Sequence, residues 1–236
     1  MNLILLFDDD FIAPGRARLA GRRLAHVTAV HRASEGDALT VGVAGGTMGR
    51  GVVTRLDGDA LELEVTLDAE PPPPLPLTLV LALPRPKVLN RVIAGATSLG
   101  IKHIVLVNAW RVEKSYWKSP RLADDNLRLQ ATLGLEQARD TILPRIEIRR
   151  LFRPFVEEEL PNLPNAFAAH PAATEPAPRN LGHTPSTLII GPEGGWIEQE
   201  VASLARAGCT LVTLGERILL VETAVAALVG RVSSER

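Results

Sequence analysis

The chain has 236 residues, 46% hydrophobic and 22% charged, with a formal net charge of -1, which excludes wholesale disorder and fits one large domain or two small ones. The single cysteine, Cys209, excludes an internal disulfide framework and a cysteine-only metal cluster. No apolar run approaches the roughly 20 residues of a membrane-spanning helix.

In chain order, residues 1–10 (MNLILLFDDD) hold an apolar run followed directly by three acids. That predicts a strand running from sheet edge to core rather than a secretory signal, and the expected compartment is the cytoplasm. Residues 21–30 predict a helix with Leu24 and Val27 on one face and Val30 as a candidate third. Residues 38–43, 51–56 and 60–67 alternate as short strands, joined by turns at Gly45-Gly46 and Asp57-Gly58, the pattern of a small barrel or meander. The glycine-rich stretch 42–51 reads as a hairpin rather than a ligand loop. Five prolines within residues 71–76 favour polyproline II and mark a linker. A domain over 1–70 is therefore expected before it and a second over 77–236 after it.

Beyond the linker, strands and helices alternate. Residues 77–83 form a continuous apolar run suited to a buried strand. Residues 86–99 predict a helix that Pro86 opens and Gly100 stops, with Leu89, Val92, Ile93, Ala96 and Leu99 in one stripe. Strands are expected at 103–107, 166–169, 187–190 and 210–214, and helices at 122–138, 197–207 and 222–232. Residues 171–186, with four prolines, read as a loop. The class is α/β with a mostly parallel sheet.

The near-zero net charge hides an uneven distribution. Residues 71–153 carry 14 basic and 6 acidic side chains, a balance of +8, flanked by segments of -4 and -5. Residues 11–34 add five arginines and no acid. Codon bias accounts for an excess of arginine over lysine but not for its clustering, and clustered arginines suit a polyanion. Trp110, Tyr116 and Trp117 are interleaved with Arg111, Lys114 and Lys118. That pattern suits stacking on looped or single-stranded RNA, though it is also what a loop covering core or a dimer seam would show.

Three loops at strand ends hold the candidate chemistry. Gly191-Pro-Glu-Gly-Gly195 lies between a strand and a helix, where open α/β sheets bind ligands. It has neither the lysine of a phosphate loop nor dinucleotide-fingerprint spacing, and a plain glycine turn is the alternative. Leu214-Gly-Glu-Arg-Ile-Leu-Leu-Val-Glu-Thr-Ala224 sets Arg217, Glu222 and Thr223 around an apolar run; Glu222 and Thr223 also read as caps of the last helix. His170-Pro171 follows a strand, and a lone histidine there is functional or structural.

GPEGG at 191–195 paired with LGERIL…ETA at 214–224 resembles the SPOUT-class methyltransferases, and within them the RsmE-type 16S rRNA uridine-N3 methyltransferases. Lys87 with the following Ser98-Leu-Gly-Ile101, Leu135-Glu-Gln137 and His170-Pro171 extend the match. Arg22, His26, His31 and Arg32 carry it into the first domain, so that it covers nearly the whole chain. The resemblance implies a SPOUT-type parallel sheet with a C-terminal trefoil knot and a small N-terminal PUA-like β-barrel. It also implies a homodimer, S-adenosyl-L-methionine as cofactor, no metal, and methylation of N3 of a decoding-region uridine in the small ribosomal subunit.

Carried onto this chain, the resemblance places the cofactor among His170, Ile190, Gly191, Pro192, Glu193, Gly194, Gly195, Leu214, Gly215, Ile218, Leu219 and Thr223. Arg217 and Glu222 become the catalytic candidates. Arg22, Arg23, His31, Arg32, Lys87, Arg111, Lys114, Lys118 and Arg139 become the RNA-binding candidates. Leu220 stands where the family motif carries arginine, and 138–141 (Ala-Arg-Asp-Thr) replaces a more basic run. A different RNA such as tRNA, or a non-catalytic role in ribosome assembly, are the competing readings.

Overall fold

A computed structural model describes residues 2–233. Met1, at the head of the expected first strand, and 234–236, at the end of the expected second domain, lie outside the described residues. The chain forms two units: one takes it to Pro73 together with Thr132–Leu143, the other takes Pro74–Ala131 and everything described from Pro144 on.

In the first unit, β1 (Ile4–Leu6), β2 (Phe11–Ala13), β3 (Arg16–Leu19), β4 (Ala38–Val43), β5 (Met48–Leu56) and β6 (Leu61–Ala69) make one sheet in the order β1-β4-β5-β6-β3-β2. All pairs are antiparallel except β1 with β4. The opening apolar run is explained by a strand buried on both faces. Ile4 and Leu6 join Leu19, Leu24, Val41, Val53 and Leu63 in the main core, while Leu3 and Leu5 pack with Leu135. Helix α1 (Gly21–His26) widens into a π-turn over Val27–His31. The extra residue in that turn rotates the helical phase, so Leu24 and Val27 are buried but Val30 is 62% exposed, a correction to the expected stripe.

The second unit contains β7 (Leu75–Ala82), α2 (Pro86–Ser98), β8 (Ile101–Val107), the start of α3 (Asp124–Ala138), β9 (Arg145–Arg149), a single turn α4 (Phe152–Pro154), β10 (Ala166–Ala169), β11 (Ser186–Ile190), α5 (Glu198–Arg206), β12 (Thr210–Val212) and α6 (Val221–Val232). The sheet runs β12-β10-β11-β7-β8-β9 and is parallel throughout. Leu79, Val80, Leu81 and Ala82 are all buried, as expected of a central parallel strand. Helix α2 starts at Pro86, buries Leu89, Val92, Ile93 and Ala96, and ends before Gly100, whose φ of +95° takes the chain out of the helix.

Two features differ from expectation. Pro76 was placed in the linker, yet it lies inside central strand β7. The ladder to β8 breaks register between Leu75 and Thr78, and pairing with β11 starts at Leu77, so the missing N–H falls at an interruption. Strand β9 was not expected, because Arg145, Glu147 and Arg149 give it a polar face. That face pairs within itself and with β8: Glu147 accepts from His103 at 2.8 Å and from the Arg145 guanidinium at 2.9 Å. Burial alone would raise the Glu147 carboxyl, but hydrogen bonds from His103 and Arg149 outweigh it and hold the group below its usual range.

Helix α6 packs against α2 and β11. No helix among the described residues is long and apolar enough to cross a membrane. For the site the decisive feature is strand order. Strands β12, β10 and β11 are adjacent and parallel, so the loops that follow them leave the same edge of the sheet side by side.

Candidate active site

Those three loops enclose a cleft of about 340 Å³. Its lining includes His170 after β10, Ile190 at the end of β11 and Gly191 through Trp196 after it, and Leu214, Gly215, Arg217, Ile218 and Leu219 after β12. Every residue expected to touch the cofactor lines it except Thr223, which is exposed on α6. Trp196, Pro171, Thr213, Val221 and Ala224 were not among the expected cofactor residues, and Arg111 was assigned to RNA; all of these line the cleft too. Trp196 ends the glycine motif and could have been flagged as its closing aromatic. Arg111 is 83 residues from Gly194 and had no local signal.

The glycine loop is braced by neighbouring side chains. A Cβ at Gly191 would lie 3.0 Å from Cε2 and Nε1 of Trp196, a ring only 5% exposed. A Cβ at Gly194 would lie 3.1 Å from Cβ and Cδ of Arg111, whose Nη1 donates to the Gly194 carbonyl. Gly195 has φ +74°, the left-handed region that turns the chain toward α5. Glycines in such a loop commonly leave room for backbone to approach a ligand. At 191 and 194 the space is taken by the protein's own side chains.

Two carboxylates complete the bracing. Glu193 accepts from the Arg85 backbone N–H at 2.9 Å, tying the loop to the start of α2. Glu200, 6% exposed, accepts from the Ile197 N–H at 3.0 Å and from the Trp110 N–H at 2.7 Å, tying it to the chain after β8.

The loop from Leu214 to Leu220 is different. Apart from those at the start of α6, its backbone bonds among the described residues run to one group, the Thr213 hydroxyl, which takes the Gly215 N–H and donates to the Gly215 carbonyl, each at 3.1 Å. Ile218 is 84% exposed and Leu220 69%. Arg217 lines the cleft from this loop. His170 accepts from the Ala172 N–H through Nδ1 at 3.2 Å, which places its own proton on Nε2.

Glu222 lies outside the cleft lining. It takes the Arg91 guanidinium at 2.7 Å. Its own backbone N–H, and then Arg91, hold its carboxyl below the usual range, so it stays ionised and is a poor proton acceptor at neutral pH.

The RNA candidates divide. Lys87, Lys114, Lys118 and Arg32 are exposed. Arg22 makes a two-pronged pair with the buried Glu136 at 2.8 and 3.0 Å, and Arg23 one with Asp10 at 2.6 Å on both prongs. Both therefore hold the first unit together. His31 and Arg139, far apart in sequence, line one small cavity of that unit, about 180 Å³.

Comparison with known proteins follows the same lines. A family model described as an RNA methyltransferase domain matches residues 71–233. A ribosomal RNA small subunit methyltransferase E from Treponema pallidum is 29% identical over 236 residues, 96% of this chain and 88% of that one. The crystal structure of a ribosomal RNA small subunit methyltransferase E from Neisseria gonorrhoeae, bound to S-adenosyl methionine, superposes with a TM-score of 0.74 at 23% identity, over 97% of this chain and 95% of that one. A Legionella pneumophila structure in complex with the bound cofactor SAM gives a TM-score of 0.73 at 20% identity, over 97% and 96%.

Proposed function

The chain belongs to the RNA methyltransferase family, and from that premise we propose that it transfers the methyl group of S-adenosylmethionine to N3 of a decoding-region uridine in 16S rRNA. The observation that carries this reading is the single cleft into which the 191–195 and 214–219 segments converge. Its volume of about 340 Å³ is at the lower end of the roughly 300–1,000 Å³ typical of small-molecule sites, and its lining is mostly apolar with a few polar groups.

The residues fit the cofactor. Ile190, Leu214, Ile218 and Leu219 offer apolar walls to an adenine, and backbone groups of the sparsely bonded 214–219 segment supply hydrogen bonds to its edge. When bound, the cofactor brings a sulfonium methyl that is already activated. The protein's task is to hold the base in line with that methyl and to accommodate the charge that develops on the uracil as its N3 proton passes to solvent water. Arg217, a cation in the cleft lining, takes the second role. Glu222 acts indirectly, fixing Arg91 and the start of α6.

The same reading extends to the rest of the chain. Residues 1–70 serve as a PUA-like RNA-binding domain and 77–236 as the methyltransferase domain. The carboxyl-terminal segment forms a trefoil knot, a reading supported by the return of α6 from edge strand β12 to pack on β11 and α2. The enzyme works in the cytoplasm as a homodimer, and the exposed apolar side chains Ile218 and Leu220 support a covered face there.

Nucleoside mass spectrometry of 16S rRNA from a deletion strain tests the reading. Loss of the uridine N3-methyl mark, restored by the wild-type chain, is the expected result. An intact mark with an altered tRNA nucleoside moves the substrate elsewhere. Calorimetry with S-adenosylhomocysteine is the first check, and no binding removes the enzyme reading altogether.

A further inference from the structure

The three tryptophans occupy three different environments. Trp196 is buried in the cleft wall. Trp117 is half-buried and tied down: its indole N–H donates to Asn108 at 2.9 Å, and the Arg150 guanidinium lies 5.3 Å from its ring centre. Trp110 is 78% exposed. One exposed aromatic ring assigns nothing by itself; the backbone beneath this one is what singles it out.

The Trp110 N–H is held by Glu200, a carboxylate removed from water, and the same carboxylate takes the Ile197 N–H at the end of the glycine loop. A buried charge is costly unless its hydrogen bonds are made, and here they join two loops. The next residue, Arg111, turns into the cleft and donates to Gly194. Trp110 is therefore a solvent-facing ring on a braced backbone, one residue from the cleft lining. Around it in sequence stand Arg111, Lys114 and Lys118. The nearby acid, Glu113, is engaged by Ser115 and Tyr116.

We propose that Trp110 is the stacking platform for an unpaired base of the RNA substrate, at the entrance to the methyl-transfer cleft. The proposal rests on the RNA methyltransferase reading above. N3 of a pyrimidine lies on its pairing edge, so the base must leave its stack to be methylated. An aromatic face beside the site offsets the lost stacking, and adjacent cations take the flanking phosphates. Trp117 and Trp196 already have partners; Trp110 presents its surface outward.

The test compares Trp110→Ala and Trp110→Phe with the wild type under single-turnover conditions on small-subunit RNA. We expect Ala to lower kcat/KM about 10-fold or more, and Phe to stay within about 3-fold, because a second ring restores stacking. Affinity for S-adenosylhomocysteine is expected to be unchanged in both. A second readout does not depend on turnover: a uridine-containing oligonucleotide should quench tryptophan fluorescence in the wild type but not in Trp110→Phe. Unchanged kcat/KM and quenching in the variants would overturn the proposal. So would a loss of cofactor affinity, which would make Trp110 part of the cofactor wall, or a change of sedimentation state, which would make it a subunit contact. A wild-type enzyme that quenches through Trp110 but methylates no RNA would instead sink the parent reading and leave the platform standing.

Discussion

The two main walls of the cleft come from neighbouring parts of one sheet and are built in opposite ways. The wall at 191–197 is preformed. Trp196 fills the space beside Gly191, Arg111 the space beside Gly194, and Glu193 and Glu200 fasten the loop to α2 and to the chain after β8. The wall at 214–220 has almost no backbone bonds of its own and leaves Ile218 and Leu220 in water. One wall is paid for at folding; the other has little to hold it until something binds. The difference assigns precise positioning to the first wall and adaptation to the second.

The largest expected effect comes from breaking the brace. Glu200→Ala leaves the Trp110 and Ile197 N–H groups without their acceptor, and urea unfolding should show a loss of ~2–4 kcal/mol. Glu200→Gln keeps one acceptor oxygen and should lose about half as much. A loss below ~1 kcal/mol for Ala would mean that the first wall is not held as described.

Next is Arg217, the cation of the loose wall. Arg217→Ala should reduce single-turnover methyl transfer by about 100-fold, the order of loss when one charge-stabilising group is removed. Affinity for S-adenosylhomocysteine should stay within about 3-fold. If affinity falls in step with the rate, Arg217 holds the cofactor rather than the reacting base.

Gly191→Ala comes third. The new methyl meets the edge of a buried indole at 3.0 Å, and a rigid ring cannot bend aside as the end of a flexible side chain would. We expect ~1–3 kcal/mol of destabilisation and a cofactor affinity at least about 10-fold weaker. Gly215→Ala, with nothing within 4 Å of the added carbon but a φ of +115°, tests backbone strain alone on the other wall.

Much of this was legible in the residues. The pairing of GPEGG with LGERIL located both walls, and the spacing of apolar residues located α2, β7 and α6. What was not legible depends on long-range partners. Arg111 reads as one cation among several until the fold sets it against Gly194. Arg22 and Arg23 read as RNA contacts until Glu136 and Asp10 are found beneath them. Glu222 reads as a catalytic candidate because it lies in the motif, whereas its own backbone N–H and then Arg91, 131 residues away, hold it as a weakly basic ion. Strand β9 was hidden by charges that neutralise one another once it lies beside β8. Local pattern finds apolar faces and turns; it does not tell a paired charge from one that awaits a ligand.

The contrast between walls can also be read without mutation. Hydrogen exchange with and without S-adenosylhomocysteine should show slowing concentrated in 214–220, with a smaller change in 191–197, where Arg111, Glu193 and Glu200 already hold the loop and the Gly195 and Ile197 N–H groups are bonded. Equal slowing in both would mean that the glycine loop also orders on binding.

The smallest effects are expected at Leu220, and they sharpen what the loose wall is for. Leu220 is the N-cap of α6 but has no side-chain acceptor for the free N–H groups of the first turn. Leu220→Ser supplies one and should add ~0.5–1 kcal/mol of stability if the leucine faces only water. If Leu220 lies in a subunit contact, the same change should weaken association, and sedimentation would show it. Leu220→Arg should leave stability within about 0.5 kcal/mol, since an exposed site has little packing to lose. It should steepen the salt dependence of RNA binding by about one counterion if the residue lies near a phosphate. A steeper slope with unchanged methyl transfer would show that the leucine gave up RNA grip and not chemistry, which would leave Arg217 as the cation the reaction needs.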